Sequence, residues 1–122
     1  GMARILIAED SLTDIQYIKS VLADTGHDLF VAMDGEEAEK MIRTEPFDLI
    51  ILDVIMPKKN GFQLCRDIKK DEKLRSIPVI IFTSKDQPSD KAWGEKQGAD
   101  EYLTKPCEPI DLLLAVKKQL AR

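Results

Sequence analysis

Short apolar runs alternate with longer amphipathic stretches along this chain. Ile5-Leu6-Ile7-Ala8, Leu29-Phe30-Val31-Ala32, Leu49-Ile50-Ile51-Leu52, Val79-Ile80-Ile81-Phe82 and the shorter Tyr102-Leu103 are of strand length. The first, third and fourth are apolar at successive positions. That predicts strands covered on both faces, as in a parallel sheet between helix layers. Between the runs the period becomes helical. Ile15, Ile18 and Leu22 follow Ser11, which with Asp14 can cap a helix start. Asp34 and Glu37 open a second helix carrying Ala38, Met41 and Ile42. A third runs from about Gly61 with Phe62, Cys65 and Ile68 on one face. A fourth begins near Pro88, a residue suited to a first turn, and stops at Gly98. The last starts after Pro109, with Ile110, Leu113, Val116 and Leu120 expected inward. Leu112 and Leu114 do not both fit that face. One of them is expected half-buried at an edge, a docking patch being the sharper alternative. Strand and helix thus alternate five times, the pattern of an open doubly wound α/β sheet.

Composition narrows the class. The 122 residues fit one domain, and 43% hydrophobic with 33% charged residues is a globular balance. Net charge is −4, so there is no basic excess to meet a phosphate backbone, and direct nucleic-acid binding is not expected. No apolar run approaches the roughly 20 residues of a membrane span, and no leader pattern opens the chain, so no membrane insertion is expected. Two cysteines make no disulfide framework, which fits a reduced, cytoplasmic setting. Gly1 before Met2 reads as a tag-cleavage scar, leaving one domain over 3–121.

In doubly wound sheets the chemistry gathers past the carboxyl ends of the strands. Glu9 and Asp10 follow the first run, Asp53 the third, Thr83 and Ser84 the fourth, and Lys105-Pro106 the fifth. The second ends in Met33 and offers nothing comparable. Each residue alone would be an ordinary cap or turn. Together they place three carboxylates at one rim, an arrangement that calls for a hard cation. Oxygen-only donors suit Mg²⁺, with Mn²⁺ as a second choice, rather than zinc. A carboxylate nucleophile, a cation, a lysine and a hydroxyl make up a phosphoryl-transfer set.

Four segments carry a resemblance. They are Ile-Leu-Ile-Ala-Glu-Asp at 5–10, Leu-Asp-Val-Ile-Met-Pro-Lys-Lys-Asn-Gly at 52–61, Pro-Val-Ile-Ile-Phe-Thr-Ser at 78–84 and Tyr-Leu-Thr-Lys-Pro at 102–106. From Ala3 to Ala121 the chain resembles the receiver domains of response regulators, the CheY-like family. The resemblance implies a flavodoxin-like fold with strand order 2-1-3-4-5. It implies Asp53 as phosphoacceptor and Mg²⁺ held by Asp10 directly, by Glu9 through water, by Asp53 and by the backbone carbonyl of Ile55. It implies Lys105 on the phosphoryl group, a cis Lys105–Pro106 peptide, Thr83 as switch hydroxyl and Tyr102 as switch aromatic. The implied donor is a sensor histidine kinase or its phosphotransfer domain. The implied output is a target protein docking on the face of the fourth helix, fifth strand and fifth helix. With no effector domain after Leu120, output is expected through protein contacts or as a phosphate sink. The stretch at 83–99, including Trp93-Gly94, resembles PilH-type single-domain regulators and so implies type IV pilus twitching motility, with a flagellar role as the alternative. Glu9 stands where many members carry Asp, and its extra methylene still reaches a metal-bound water.

Three other classes compete. An aspartyl-phosphate hydrolase generally wants a second acid two residues past its nucleophile, and that position is Ile55. A flavin binder needs a phosphate-cradling loop after the first strand, where Glu9-Asp10-Ser11 puts negative charge. An unphosphorylated, partner-binding receiver would not need the full acidic set. The resemblance to receiver domains further implies that Ile55 and Lys85 flank the route of attacking water, and an apolar Ile55 there predicts slow self-dephosphorylation. His27 reads as a turn residue and Cys65 as core. Cys107 has no neighbouring base. Spacing leaves Trp93 open between partial burial and a contact surface. Lys58-Lys59 reads as a solvated loop.

Overall fold

The computed structural model describes residues 2–122; Gly1, read above as a scar, lies outside them. Five strands and five helices alternate. They are β1 (Arg4–Ala8), α1 (Leu12–Leu22), β2 (Asp28–Ala32), α2 (Gly35–Thr44), β3 (Leu49–Leu52), α3 (Gly61–Lys70), β4 (Val79–Thr83), α4 (Pro88–Lys96), β5 (Glu101–Thr104) and α5 (Pro109–Leu120). The strands form one parallel sheet in the order β2-β1-β3-β4-β5. β1, β3 and β4 are the three inner strands and are almost wholly buried, whereas the edge strands β2 and β5 are only partly covered. A continuous apolar run alone does not mark the interior, because Leu29–Ala32 is apolar throughout and forms the edge strand β2.

Alternate strand residues feed opposite layers, as the pleat requires. Leu6, Ile50, Leu52 and Ile81 pack on Ala38, Ile42, Leu64, Cys65 and Ile68 of α2 and α3. Ile5, Ile7, Leu49, Ile51 and Ile80 pack on Ile18 and Leu22 of α1 and on Leu112, Ala115 and Val116 of α5. The helix starts follow local chemistry. Ser11 Oγ accepts from the Asp14 N–H, Asp34 Oδ1 from Glu37 and Asn60 Oδ1 from Gln63. Pro88 sits in the first turn of α4, preceded by a Gln87–Asp90 capping box.

Two expectations need correction. The buried face of α5 is Leu112, Ala115, Val116 and Gln119, while Ile110 and Leu114 are each 54% exposed. Residues 112–116 are apolar throughout, so the sequence holds two overlapping helical stripes. Packing against α1 and the sheet selects the one containing Leu112. Lys59 is not a solvated loop residue either. Its Nζ bonds Glu39 and Asp67, each at 2.7 Å, and ties the loop after β3 to α2 and α3. A smaller adjustment concerns α3, whose buried face gains Leu64 while Phe62 is only partly covered.

Candidate functional site

The strand ends build the site by extending the sheet one residue further. The Glu9 N–H donates to Ala32 at 2.9 Å and the Asp53 N–H to Ala8 at 3.0 Å. The Lys105 N–H donates to Thr83 at 2.8 Å. These bonds hold the first polar residue after β1, β3 and β5 in register with neighbouring strands. Glu9 is 2% exposed and Asp53 7%, whereas Asp10 is open to solvent. One carboxylate oxygen from each of Glu9, Asp10 and Asp53 lies within 4.8 Å of the others.

Glu9 turns back on its own loop, its Oε2 accepting the N–H groups of Asp10 and Ser11 at 3.0 Å each. Its Oε1 accepts from Lys105 Nζ at 2.6 Å. The same ammonium donates to Asp53 Oδ2 at 2.9 Å and to Asp14 Oδ2 at 2.8 Å. Burial pushes the Glu9 carboxyl up to about 7 against the pull of its Lys105 and Ser11 hydrogen bonds. Burial works against the Lys105 charge as well, but the bonds to Asp14, Glu9 and Asp53 outweigh it and hold its pKa above the ordinary lysine value. Three carboxylates thus share one ammonium.

The donor set passes a chemical test for a hard divalent cation. Its ligand atoms are all oxygens, they already lie within chelating range, and Asp10 has no cationic partner among the described residues. Asp53 Oδ1 accepts weakly from the Ile55 N–H at 3.3 Å. The Ile55 side chain stands at the rim, 56% exposed.

Thr83 ends β4 with no exposure, and its Oγ1 accepts the Lys85 N–H at 3.4 Å. The carbonyl of Lys85 accepts from the Tyr102 hydroxyl at 2.8 Å. The backbone of Lys85 therefore links the two residues expected to form the switch. The Tyr102 ring lies against Gly94 of α4, where a Cβ would come within 2.7 Å of it. Lys105–Pro106 is cis, as expected. The next residue is tied to α1 by the Tyr17 hydroxyl, which donates to the Cys107 carbonyl at 2.7 Å.

A family model described as the response regulator receiver domain matches residues 5–117. The chain belongs to that family. It is 43% identical over 120 residues to Protein PilH of Pseudomonas aeruginosa, across 98% of this chain and 99% of that protein. Among solved structures it is similar to the receiver domain of the Francisella response regulator 1452, at 35% identity and TM-score 0.90 over 98% of each chain. It is also similar to the Mn(2+)-bound form of response regulator Rcp1, at 29% identity and TM-score 0.82, over 95% of this chain and 90% of that one.

The structure brings Glu9, Asp10, Asp53 and Lys105 of this receiver together. Thr83 and Tyr102 lie beside them, joined through Lys85. Asp14 reaches the same cluster, although sequence reasoning gave it only a capping role. Its signal was legible: α1 starts directly after Glu9-Asp10, so a carboxylate in its first turn stays beside that rim.

Proposed function

We propose that this chain, over residues 3–121, is a stand-alone two-component regulator that carries a phosphoryl group on Asp53. The observation that supports this most is the single ammonium of Lys105 reaching Asp53 at 2.9 Å, beside oxygen ligands from Glu9 and Asp10. A phosphohistidine of a sensor kinase or its phosphotransfer domain is the donor. An Asp53 oxygen forms the new bond to phosphorus as the phosphorus–nitrogen bond breaks, its electron pair staying on the imidazole. Glu9, Asp10, Asp53 and the Ile55 carbonyl would hold Mg²⁺ or Mn²⁺, whose charge offsets that of the phosphoryl oxygens. Rcp1, a similar receiver, has been solved with Mn(2+). Lys105 supplies the second positive charge.

Chemistry is confined to this self-catalysed transfer and the later hydrolysis; the chain is not an enzyme acting on a separate substrate. Thr83 then turns toward the new acceptor and releases the Lys85 N–H. Because Lys85 also holds the Tyr102 hydroxyl, that loss reaches the face of α4, β5 and α5, where a target protein docks. That face carries exposed Leu114 beside Tyr102, Leu103 and Lys118. The exposed Ile55 side chain shields the acyl phosphate and slows its hydrolysis. Likeness to PilH along nearly the whole chain, together with the 83–99 segment, favours a cytoplasmic role in type IV pilus twitching over a flagellar one.

The test is intact-mass analysis after incubation with acetyl phosphate and Mg²⁺. The native protein gains one phosphoryl group, and Asp53→Asn or chelator-treated protein gains none. A native protein that stays unmodified, or an Asp53→Asn variant that is modified equally, would contradict the reading.

A further inference from the structure

Asp14 is the rim carboxylate that belongs neither to the three-carboxylate cluster nor to the acceptor. It lies in the first turn of α1, where Ser11 Oγ holds its N–H. Its Oδ2 accepts from Lys105 Nζ at 2.8 Å, and the same nitrogen serves Glu9 at 2.6 Å and Asp53 at 2.9 Å. An ammonium has three N–H donors, so this lysine is fully committed. One of its three bonds goes to a residue outside the described chemistry. The Asp14 side chain is 33% exposed, against 2% for Glu9, so it grips the lysine from the solvent side.

We infer that Asp14 is a positioning residue that aims Lys105 at Asp53 and, through its charge, limits how tightly the site holds an anionic phosphoryl group. The inference rests on the phosphoacceptor reading above. Asp14 and Asp53 bond the same nitrogen, which puts their charges well inside a Debye length of about 8 Å. Phosphoryl oxygens on Asp53 take over the lysine donor that now serves Asp53. They then face Asp14 across that nitrogen, and like charges oppose each other there. The aiming part needs only an oxygen acceptor. The limiting part needs the negative charge. An asparagine keeps the first and removes the second.

The experiment titrates beryllofluoride, with Mg²⁺ present, into the full chain and follows Trp93 fluorescence and amide NMR shifts. Native protein, Asp14→Asn, Asp14→Glu and Asp14→Ala are compared at low and high salt, each checked for folding by urea unfolding. Asp14→Asn is expected to bind about fivefold more tightly at low salt, the size reached by a partly exposed charge pair. That gain shrinks at high salt. Asp14→Glu keeps native affinity, and Asp14→Ala, which also loses the aim, binds more weakly than Asp14→Asn. A purely structural role would not produce this salt dependence. An Asp14→Asn affinity equal to or below native, or a gain that salt does not reduce, overturns the inference while leaving the acceptor reading intact. A native protein that fails to bind beryllofluoride overturns both.

Discussion

Lys105 carries the electrostatics of the rim. It is the cation through which Glu9 and Asp53, both nearly closed to solvent, are compensated. Replacing it with methionine strands them. Loss of one partner from a buried ionic cluster costs about 3 kcal/mol, so Lys105→Met should lose about that much stability in urea unfolding with chelator present. Added Mg²⁺ should restore part of it. Thr83 makes the opposite kind of contribution. Its hydroxyl holds the Lys85 N–H rather than Asp53. Thr83→Ala is therefore expected to leave phosphorylation of Asp53 in place and to uncouple it from Tyr102. In NMR, the Tyr102 amide should no longer respond to beryllofluoride while residues around Asp53 still do. A full Tyr102 response in the variant would remove Thr83 from the relay.

Elements deliver these residues by close backbone approach. α3 begins against the backbone of Asp53, the residue that follows β3. A Cβ on Gly61 would fall 2.2 Å from the Asp53 carbonyl oxygen, a contact that backbone cannot relieve by rotating a side chain. Gly61→Ala is expected to cost about 3 kcal/mol, the upper range for overpacking, and to lower the thermal midpoint accordingly. At the far end of the sheet, Asp100 joins β4 to α3 and to the last residue. It accepts from the Val79 N–H at 2.8 Å, from Lys69 at 2.9 Å and from Arg122 at 2.9 Å. Burial alone would raise its pKa, but these bonds outweigh burial and lower it. A carboxylate with a depressed folded-state pKa contributes stability that is full above its unfolded value, near 3.9. That contribution is lost as pH falls through the folded value. Asp100→Asn should destabilise at neutral pH and flatten the acid limb of the stability profile, read from urea midpoints at successive pH values.

At the scale of the molecule, one parallel sheet sets a charged rim at its carboxyl edge and places the proposed docking face along β5. The strands were legible because runs such as Leu49–Leu52 and Val79–Phe82 are apolar without alternation, as in a sheet covered on both sides, but the equally apolar Leu29–Ala32 lies at the edge, so strand position was not. The rim was legible because strand ends are places in a topology, so Glu9, Asp53, Thr83 and Lys105 could be brought together before any coordinate was known. Side-chain choices made by packing were less legible. Nothing in the apolar run 112–116 says that Leu112 rather than Leu113 turns inward, and nothing in Lys58-Lys59 says which lysine finds Glu39 and Asp67. The Lys85 bridge was hidden for another reason: it is made by backbone atoms, which any residue would supply. In the proposed function, that bridge is what couples Tyr102 to Thr83 and the surface to Asp53.

The direct test is residue-resolved amide NMR of the native protein and Asp53→Ala during addition of beryllofluoride with Mg²⁺. The account predicts Mg²⁺-dependent shifts at Asp53, Thr83, Lys85 and Tyr102 in the native protein and none in the variant. Shifts confined to Glu9, Asp10 and Asp53, with Lys85 and Tyr102 unmoved, would contradict the coupling; identical shifts in Asp53→Ala would contradict the acceptor itself.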